Sequence, residues 1–577
     1  MSKTPNYDQK VKTILESTTP GERTCELTGE KWEMTEEEIG WYKKFNVPPS
    51  GVSPLNRMKY LTEKWPSGQY WYNKHPETGK MIVSGVHPAT GIKVLPDVEW
   101  FDRDFSAIKK DVDFEVSIID QLYDLRQKVP SNASRDYEKS ENSISLASFG
   151  DINSYFVVGC KSKNTFHSIV GWDTEDSAEI YNCNAIRKSF QIVHSDKMYQ
   201  CNFAKECNSC LNSSFLFDCR NCENCFGATN KRNKKYLWFN EQLSSEEWER
   251  RRAEVDLGSR KVVEEYLEKF SQLVKDAVWP ENFNEKTEGC IGEYLTNCND
   301  CRYVYFANQS ARNIFWGAFA MQGPQDCAFC AEASGSQEIY YCSAATNSFL
   351  CKFSLWVSRC KELEYSIDCY DCEYCFGCVG LRKKQFCIFN KQYSEEDYWK
   401  KVDEIKCVML DRDEYGKFLP PKFSPTHYVD CGATKYQLAD LEFGKAIGAN
   451  LFDPNSEGAI GDELAQAQVV HQVTEVPDHV KGMGDWAGKV LFDPVYKRRF
   501  SYLSPEIKLY QQLNIAPPRE HTTFRTQKMV TSSNSGVFEP AQCDQCKKKL
   551  IISLNKTYPN RTIYCKPCYL KYLEEHG

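Results

Sequence analysis

The stretch CSAATNSFLCKFSLWVSRCKELEYSIDCYDCEYCFGCVGLRKKQFC (342–387) carries cysteine at nine-residue steps: Cys342, Cys351, Cys360, Cys369, Cys378 and Cys387. The same beat runs earlier through Cys183, Cys201, Cys210 and Cys219, then continues at Ala228 and Leu237. The two tracts superpose at an offset of 150 residues. DCRNCENCFG (218–227) falls on DCYDCEYCFG (368–377), and KKYLWFNEQLSSEEW (234–248) on KQFCIFNKQYSEEDY (384–398). Self-similarity at a fixed period is the signature of stacked repeats. Nine residues make about one strand and one turn, so two or three such units are expected per coil of a parallel β-solenoid. Cysteine is small and readily buried, so the ladder is expected to point inward and to stack. Ala345, Ser354, Leu363, Cys372 and Leu381, three residues further on, form a second inward file.

Composition sets the outer bounds. A chain of 577 residues with 41% hydrophobic and 13% aromatic content is folded and long enough for several domains. Its net charge of −8 argues against a general nucleic-acid coat. The first residues, MSKTPNYDQKVKTILESTTPGERTC, lack the apolar core of a secretory signal, and no apolar run is long enough to span a bilayer. Twenty-eight cysteines without a signal point to the cytoplasm, where thiols pack or bind metal.

Taken in order, residues 1–23 read as a polar segment, flexible or peripheral, and 24–105 as a degenerate zinc-ribbon-type module. A helical connector (106–149) leads to the first cysteine ladder (150–243) and a capping helix (244–280). The second ladder (281–393), a second capping helix (394–410), an irregular linker (411–486) and a C-terminal zinc-ribbon module (487–577) follow. The two ends are related: shifted by 468 residues, TEEEIGWYKKFNVPP (35–49) falls on the segment beginning LSPEIKLYQQLNIAPP (503–518). The fold expected is therefore mainly β, with two related parallel β-solenoid tracts, capping helices and flanking zinc-ribbon-type modules.

Cys543-x2-Cys546-x18-Cys565-x2-Cys568 is the strongest motif. Two CxxC knuckles joined by a hairpin-length spacer place four thiolates around one zinc, and a module this small needs the metal to fold. Four thiolates leave no open position, so the zinc is structural. In the N-terminal copy, His75, Thr78, Asp97 and Trp100 occupy the ligand positions. Thr78 and Trp100 do not ligate, so no zinc is expected there.

Cys369, Cys372, Cys375 and Cys378, each two residues apart, admit three readings: core packing, a second metal site holding zinc, or an iron–sulfur cluster. Val379 stands after Cys378 where the bacterial cluster motif has proline, and Ala228 replaces the fourth cysteine in the first tract. Packing is favoured, zinc follows, and iron–sulfur ranks last. Nothing assigns a catalytic residue: the histidines are scattered, and no phosphate loop, nucleophile elbow or Rossmann fingerprint is present. Asp218, Asp368 and Asp371 are the only hint of a β-helix lyase, and acidic residues at solenoid turns are usually solvated.

SFLFDCRNCENCFG (214–227), CFGCVGLRKKQFCIFNKQYSEEDY (375–398), FDRDF (101–105) and the terminal CxxC pair resemble cysteine-rich zinc-ribbon repeat proteins of candidate-phyla-radiation bacteria. The resemblance implies the fold over nearly the whole chain and carries no activity to transfer. Flanking modules in that family look like intact zinc ribbons, from which this chain departs at His75, Thr78, Asp97 and Trp100.

The function expected is a non-enzymatic scaffold or binding protein, a homo-oligomer or part of a larger assembly. The alternative is a nucleic-acid- or ribosome-associated factor contacting its target through Lys547, Lys548, Lys549 and Arg561. A β-helix lyase or a metal or thiol store comes third.

Overall fold

The computed structural model describes residues 2–452 and 469–577. It is mixed α/β rather than mainly β, with 32% strand and 27% helix, because the modules and segments flanking the ladders carry the helices, and it contains two extended systems of parallel strands. In the first, Phe190 pairs with Asn202, Asn202 with Ser214 and Ser214 with Phe226. In the second, Gln325 pairs with Gln337, Gln337 with Phe349, Phe349 with Lys361 and Lys361 with Glu373. The chain thus returns beside itself every twelve residues, not after two or three nine-residue units. Nine and twelve share the factor three, and three is the true unit.

The backbone shows that unit directly. In DCRNCENCFG the φ angles of Asp218, Asn221, Asn224 and Gly227 are +48°, +53°, +52° and +69°. In DCYDCEYCFG, Asp368, Asp371, Tyr374 and Gly377 stand at +51°, +54°, +51° and +61°. Left-handed backbone costs about 1–2 kcal/mol for most residues and least for Gly, Asn and Asp, which is why those residues precede so many cysteines. After each such bend comes an inward residue: Cys219, Cys222, Cys225 and Ala228 are all buried. Four units close one circuit, so Cys369, Cys372, Cys375 and Cys378 are the four inward side chains of one circuit. Vertical neighbours are instead twelve apart, as Cys360 and Cys372 are. Circuits of eleven (Tyr155 with Phe166, Glu285 with Thr296) and thirteen (Asn299 with Arg312, Arg312 with Gln325) shift the phase early in each tract and blur the cysteine beat there.

Cysteine and serine hold the inward positions for a reason beyond size. Two of the three N–H groups in a unit join the ladder: Leu355 N–H donates to Ser366 O and Trp356 N–H to Ser343 O. The inward residue's own N–H has no such partner, and a buried orphan donor is costly. A hydroxyl or thiol one circuit earlier accepts it. Ser354 N–H donates to Cys342 Sγ at 3.3 Å, Ser366 N–H to Ser354 Oγ at 3.2 Å and Cys378 N–H to Ser366 Oγ at 3.3 Å. Each acceptor in turn donates to the carbonyl two residues before it, as Ser354 Oγ does to Lys352 O at 2.9 Å.

Both ladders end on the same device. Asn240 Oδ1 and Asn390 Oδ1 accept from Thr229 and Val379 N–H, each at 2.9 Å, before a short antiparallel return. Ser244 and Ser394 then cap helices. Residues 244–280 hold two helices rather than one. Ser245–Ala253 seats Trp248 at the ladder's end, where its Nε1–H donates to Leu237 O, while Arg260–Lys275 lies along the flank with Tyr266 and Phe270 against Phe215. The first residues are not a loose segment: helix Pro5–Ser17 buries Tyr7, Val11 and Leu15, and Tyr7 N–H donates to Asp403 Oδ1 at 2.8 Å. Residues 106–149 contain one helix, Ile118–Lys128, and ladder pairing already starts at Glu138 with Phe149. Among the described residues no helix is long and apolar enough to cross a membrane.

The two ends fold alike. Helices Glu36–Phe45 and Pro54–Thr62 recur 468 residues on as Ser504–Leu513 and Thr522–Thr531. A buried arginine of the second helix meets a glutamate and tyrosine of the first in both copies. Arg57 pairs with Glu38, which accepts from Tyr42 Oη at 2.5 Å; Arg525 lies 3.5 Å from Glu506, which accepts from Tyr510 Oη at 3.0 Å. The docking is crossed. Arg57 sits 3.6 Å over the ring of Phe329 in the second ladder, whereas Arg525 contacts His167 (2.8 Å) and Glu179 (3.1 Å) in the first.

Candidate metal centre

Strands Phe538–Gln542 and Lys549–Ser553 pair antiparallel, and the turn between them carries Cys543 and Cys546. Lys547 takes φ +62° and donates its N–H to Cys543 O at 2.9 Å, which folds the turn back on its first cysteine. Cys565 caps helix Lys566–His576, and Cys568 lies in its first turn. All four Sγ atoms lie within 4.8 Å of one another, with Cys546 and Cys565 at 3.6 Å. Among the described residues this is the one cluster of three or more such ligands so gathered. Cys543 Sγ accepts from the N–H groups of Cys546 (3.5 Å) and Cys565 (3.2 Å). Burial pushes the Cys543 thiol up, but these donors outweigh it and bring it down to about 6, so it offers a thiolate at neutral pH. The cluster can hold one metal ion with a closed set of four sulfur ligands. Strand Thr562–Tyr564 pairs in parallel with Val278–Pro280, which ties the site to the entrance of the second ladder.

Among the described residues the same turn is built four times. Gly29, Gly79 and Lys497 take φ +71°, +69° and +56°, and their N–H groups donate to Cys25 O, His75 O and Asp493 O at 2.8, 3.0 and 2.8 Å. The turns at Cys25 and His75 stand fifty residues apart, as do those at Asp493 and Cys543. In each, the first residue accepts N–H bonds, as Cys543 Sγ does. Cys25 Sγ accepts from Ser53 N–H at 3.5 Å and Asn56 Nδ2 at 3.4 Å. His75 Nδ1 accepts from Thr78 N–H at 3.2 Å, and Asp493 from Tyr496 N–H at 3.0 Å and His521 N–H at 2.8 Å. The second pair of positions is Ser53 and Asn56, Asp97 and Trp100, or His521 and Phe524, none a thiol set. Trp100 is fully buried with its indole N–H on Pro130 O, and Asp97 accepts from Ser134 and Asp136 N–H, so both are occupied structurally. The two further turns were readable from sequence: the 468-residue shift already lays Cys25 on Asp493, and TGE (28–30) repeats as TGK (78–80).

The remaining candidates do not converge. Cys369, Cys372, Cys375 and Cys378 are buried on four successive sides of one circuit, and each thiol points back to the carbonyl two residues before it, at 3.4–3.6 Å. Burial pushes Cys369 up, and Cys372 and Cys378 push Cys375 up, while Cys372 is held down, to about 4, by its neighbours Cys369 and Cys375. Asp368 is held by Arg135 and Ser131, Asp218 by Arg232, and Asp371 by Arg359, which leaves no shared carboxylate site. Lys547, Lys548 and Lys549 are exposed on the knuckle turn, but Arg561 is buried and donates to Ser553 O at 2.6 Å and Tyr558 O at 3.2 Å. No protein-family model, no curated protein and no solved structure matches this chain.

Proposed function

We propose that the protein is a zinc-stabilised, non-enzymatic scaffold or binding protein of the cytoplasm, built on two β-solenoid tracts and acting within an oligomer or larger assembly. The observation that carries this reading is the closed four-cysteine group at Cys543, Cys546, Cys565 and Cys568. Four sulfurs suit zinc among the common divalent ions and leave no position for a substrate, so the ion holds shape and does no chemistry. Repetition supports the scaffold role. Asn142, Asn153, Asn164 and Asp176 form an outward hydrogen-bonded row, with contacts of 2.9, 3.4 and 2.9 Å, which gives a partner a surface of fixed spacing. The three exposed lysines of the knuckle support a second reading, a nucleic-acid-associated factor.

Native mass spectrometry on protein purified without chelator separates these readings. One zinc per chain in a discrete oligomer or complex is the expected result. A clean monomer that retains no partner overturns the assembly reading. Co-purifying RNA that is lost when Lys547, Lys548 and Lys549 become Glu replaces it with the second reading.

A further inference from the structure

Between the two ladders lies a cleft of about 510 Å³, the size of a small-ligand site, and it is separate from the knuckles. Its floor comes from the first ladder and its opposite wall from the second. The ladders meet where His194 stacks on Tyr294 at 3.6 Å and Tyr294 Oη donates to Glu206 Oε1 at 3.0 Å. Asn182 lines the cleft at 6% exposure, and neither its amide nitrogen nor its amide oxygen has a hydrogen-bond partner; His194 Nε2 has none either. A buried primary amide with both ends unpaired is costly, and nearly all such groups in proteins are satisfied. An amide offers a donor and an acceptor side by side, the complement of two neighbouring hydroxyls.

The rest of the lining points the same way. Trp172, Phe283 and Phe306 supply flat apolar faces, and Asn184, Asn208 and Asn308 supply further amides. The charged residues are Asp196, Glu206, Glu285 and Arg220, and Arg220 is already paired with Glu285 at 3.2 Å. An acidic excess with its one arginine so engaged repels polyanions. We propose that this cleft binds a neutral, hydroxyl-rich ligand, an oligosaccharide segment, with Asn182 reading a hydroxyl pair and Trp172 lying against a sugar face. Burial holds the Glu206 carboxyl up to about 8, so at neutral pH it is protonated, and the acidic excess that remains is Asp196 beside the Glu285–Arg220 pair. The inference deepens the binding reading and rests on it only in that no reaction is assigned. It needs neither metal nor assembly, so its failure would leave the scaffold standing.

The test is calorimetric titration of the full zinc-loaded chain with cellohexaose, xylohexaose, maltohexaose and chitohexaose, with a dT12 oligonucleotide and a heparin hexasaccharide as anionic controls. Saturable binding of at least one neutral hexasaccharide is expected, and none by the anions. Trp172→Ala and Asn182→Ala should each weaken it about tenfold, which is about 1.4 kcal/mol. Asn184→Ala, at an exposed position, gives a milder loss without a burden on folding. Thermal midpoint and zinc content identify variants that have not folded. The proposal fails if no neutral saccharide titrates, if dT12 binds in their place, or if folded Trp172→Ala and Asn184→Ala chains bind like the parent.

Discussion

The C-terminal knuckle at Cys543 and the N-terminal ones at Cys25 and His75 share a backbone and differ in what fills it. At Cys543 four sulfurs converge. At Cys25 one thiol remains, and the places of the other three are taken by Thr28, Ser53 and Asn56, with Asn56 Nδ2 reaching Cys25 Sγ (3.4 Å), Thr28 Oγ1 (3.0 Å) and Glu30 Oε1 (2.7 Å). Burial pushes Cys25 up, but donors from Ser53, Thr28 and Asn56 hold it at about 7. The difference teaches that the turn is specified by its left-handed fifth residue and by the acceptor at its first. The ion is one of several ways to satisfy the centre. Hydrogen bonds suffice where the module is docked on a large core, as the N-terminal one is through its helix Glu36–Phe45, with Trp41 stacked on Phe315 and Phe45 against Tyr340.

The largest expected effect breaks the comparison at its metal end. Cys565→Ser should abolish metal retention and unfold the C-terminal hairpin, since binding energies of about 10–16 kcal/mol accompany folding at such sites. Limited proteolysis after residue 538, with metal analysis, checks this, and a chain that stays protected without metal would contradict it. Next, the combined change Thr28→Cys, Ser53→Cys and Asn56→Cys should convert the hydrogen-bonded knuckle into a second closed site. Metal content should rise from one ion per chain to two, and an unchanged count would show that the backbones are not equivalent.

A third prediction separates the two buried triads by pH. His167, beside Arg525, is held down to about 4, by burial first and then by Arg525; Glu179 is held up to about 7 by burial. A lowered histidine contributes stability that is full above its unfolded value near 6.5 and lost as pH falls through 4. A raised carboxyl contributes stability that is full below about 4.5 and lost as pH rises through 7. In the parent the two slopes oppose each other between those limits. Glu179→Gln should therefore make the first ladder and the Arg525 module docked on it lose stability on acidification from pH 6.5 to 4. His167→Gln should make them lose stability as pH rises from 4.5 to 7, each by up to about 3 kcal/mol. The Arg57–Glu38–Tyr42 triad contains no histidine, and its melting should not follow. Denaturant melts across this range decide, and slopes of the same sign in both variants would refute the assignment.

The smallest effect lies in the ladders beneath the modules. At the 150-residue offset Leu216 stands where the second ladder has Ser366, so only the second carries a polar file there. Ser366→Ala should cost about 1–3 kcal/mol by orphaning the Cys378 N–H, whereas Ser366→Cys should be close to neutral. Chemical denaturation of the two variants side by side checks this, and equal losses would remove the hydrogen-bonding role.

Much of this was legible in the sequence. The 150- and 468-residue offsets are visible by eye, and the Cys543 set followed from spacing alone. The length of the circuit was not, because cysteine marks only some inward positions. Its nine-residue beat is a stroboscopic view of a three-residue unit whose other inward places hold Ser366, Leu363 or Ala345. The surer sign was the Asp or Asn before the cysteines, since those residues tolerate the left-handed bend that closes each unit. The crossed docking of Arg57 and Arg525 was beyond reach, because it joins residues separated by hundreds of positions with no shared pattern. The cleft was hidden likewise, since its two walls come from different ladders.

The twelve-residue circuit also bears on how the chain reaches this structure. Parallel sheets are slow to form when each strand must wait for a partner far along the chain. Here a new strand finds its neighbour only twelve residues back, a closure of little entropic cost, so each ladder can zip from any point. The slow events are left to the ends: the Arg57 module must await a ladder that lies some 270 residues downstream at Phe329. Refolding should accordingly show fast growth of strand signal and late burial of the tryptophans of the flanking modules.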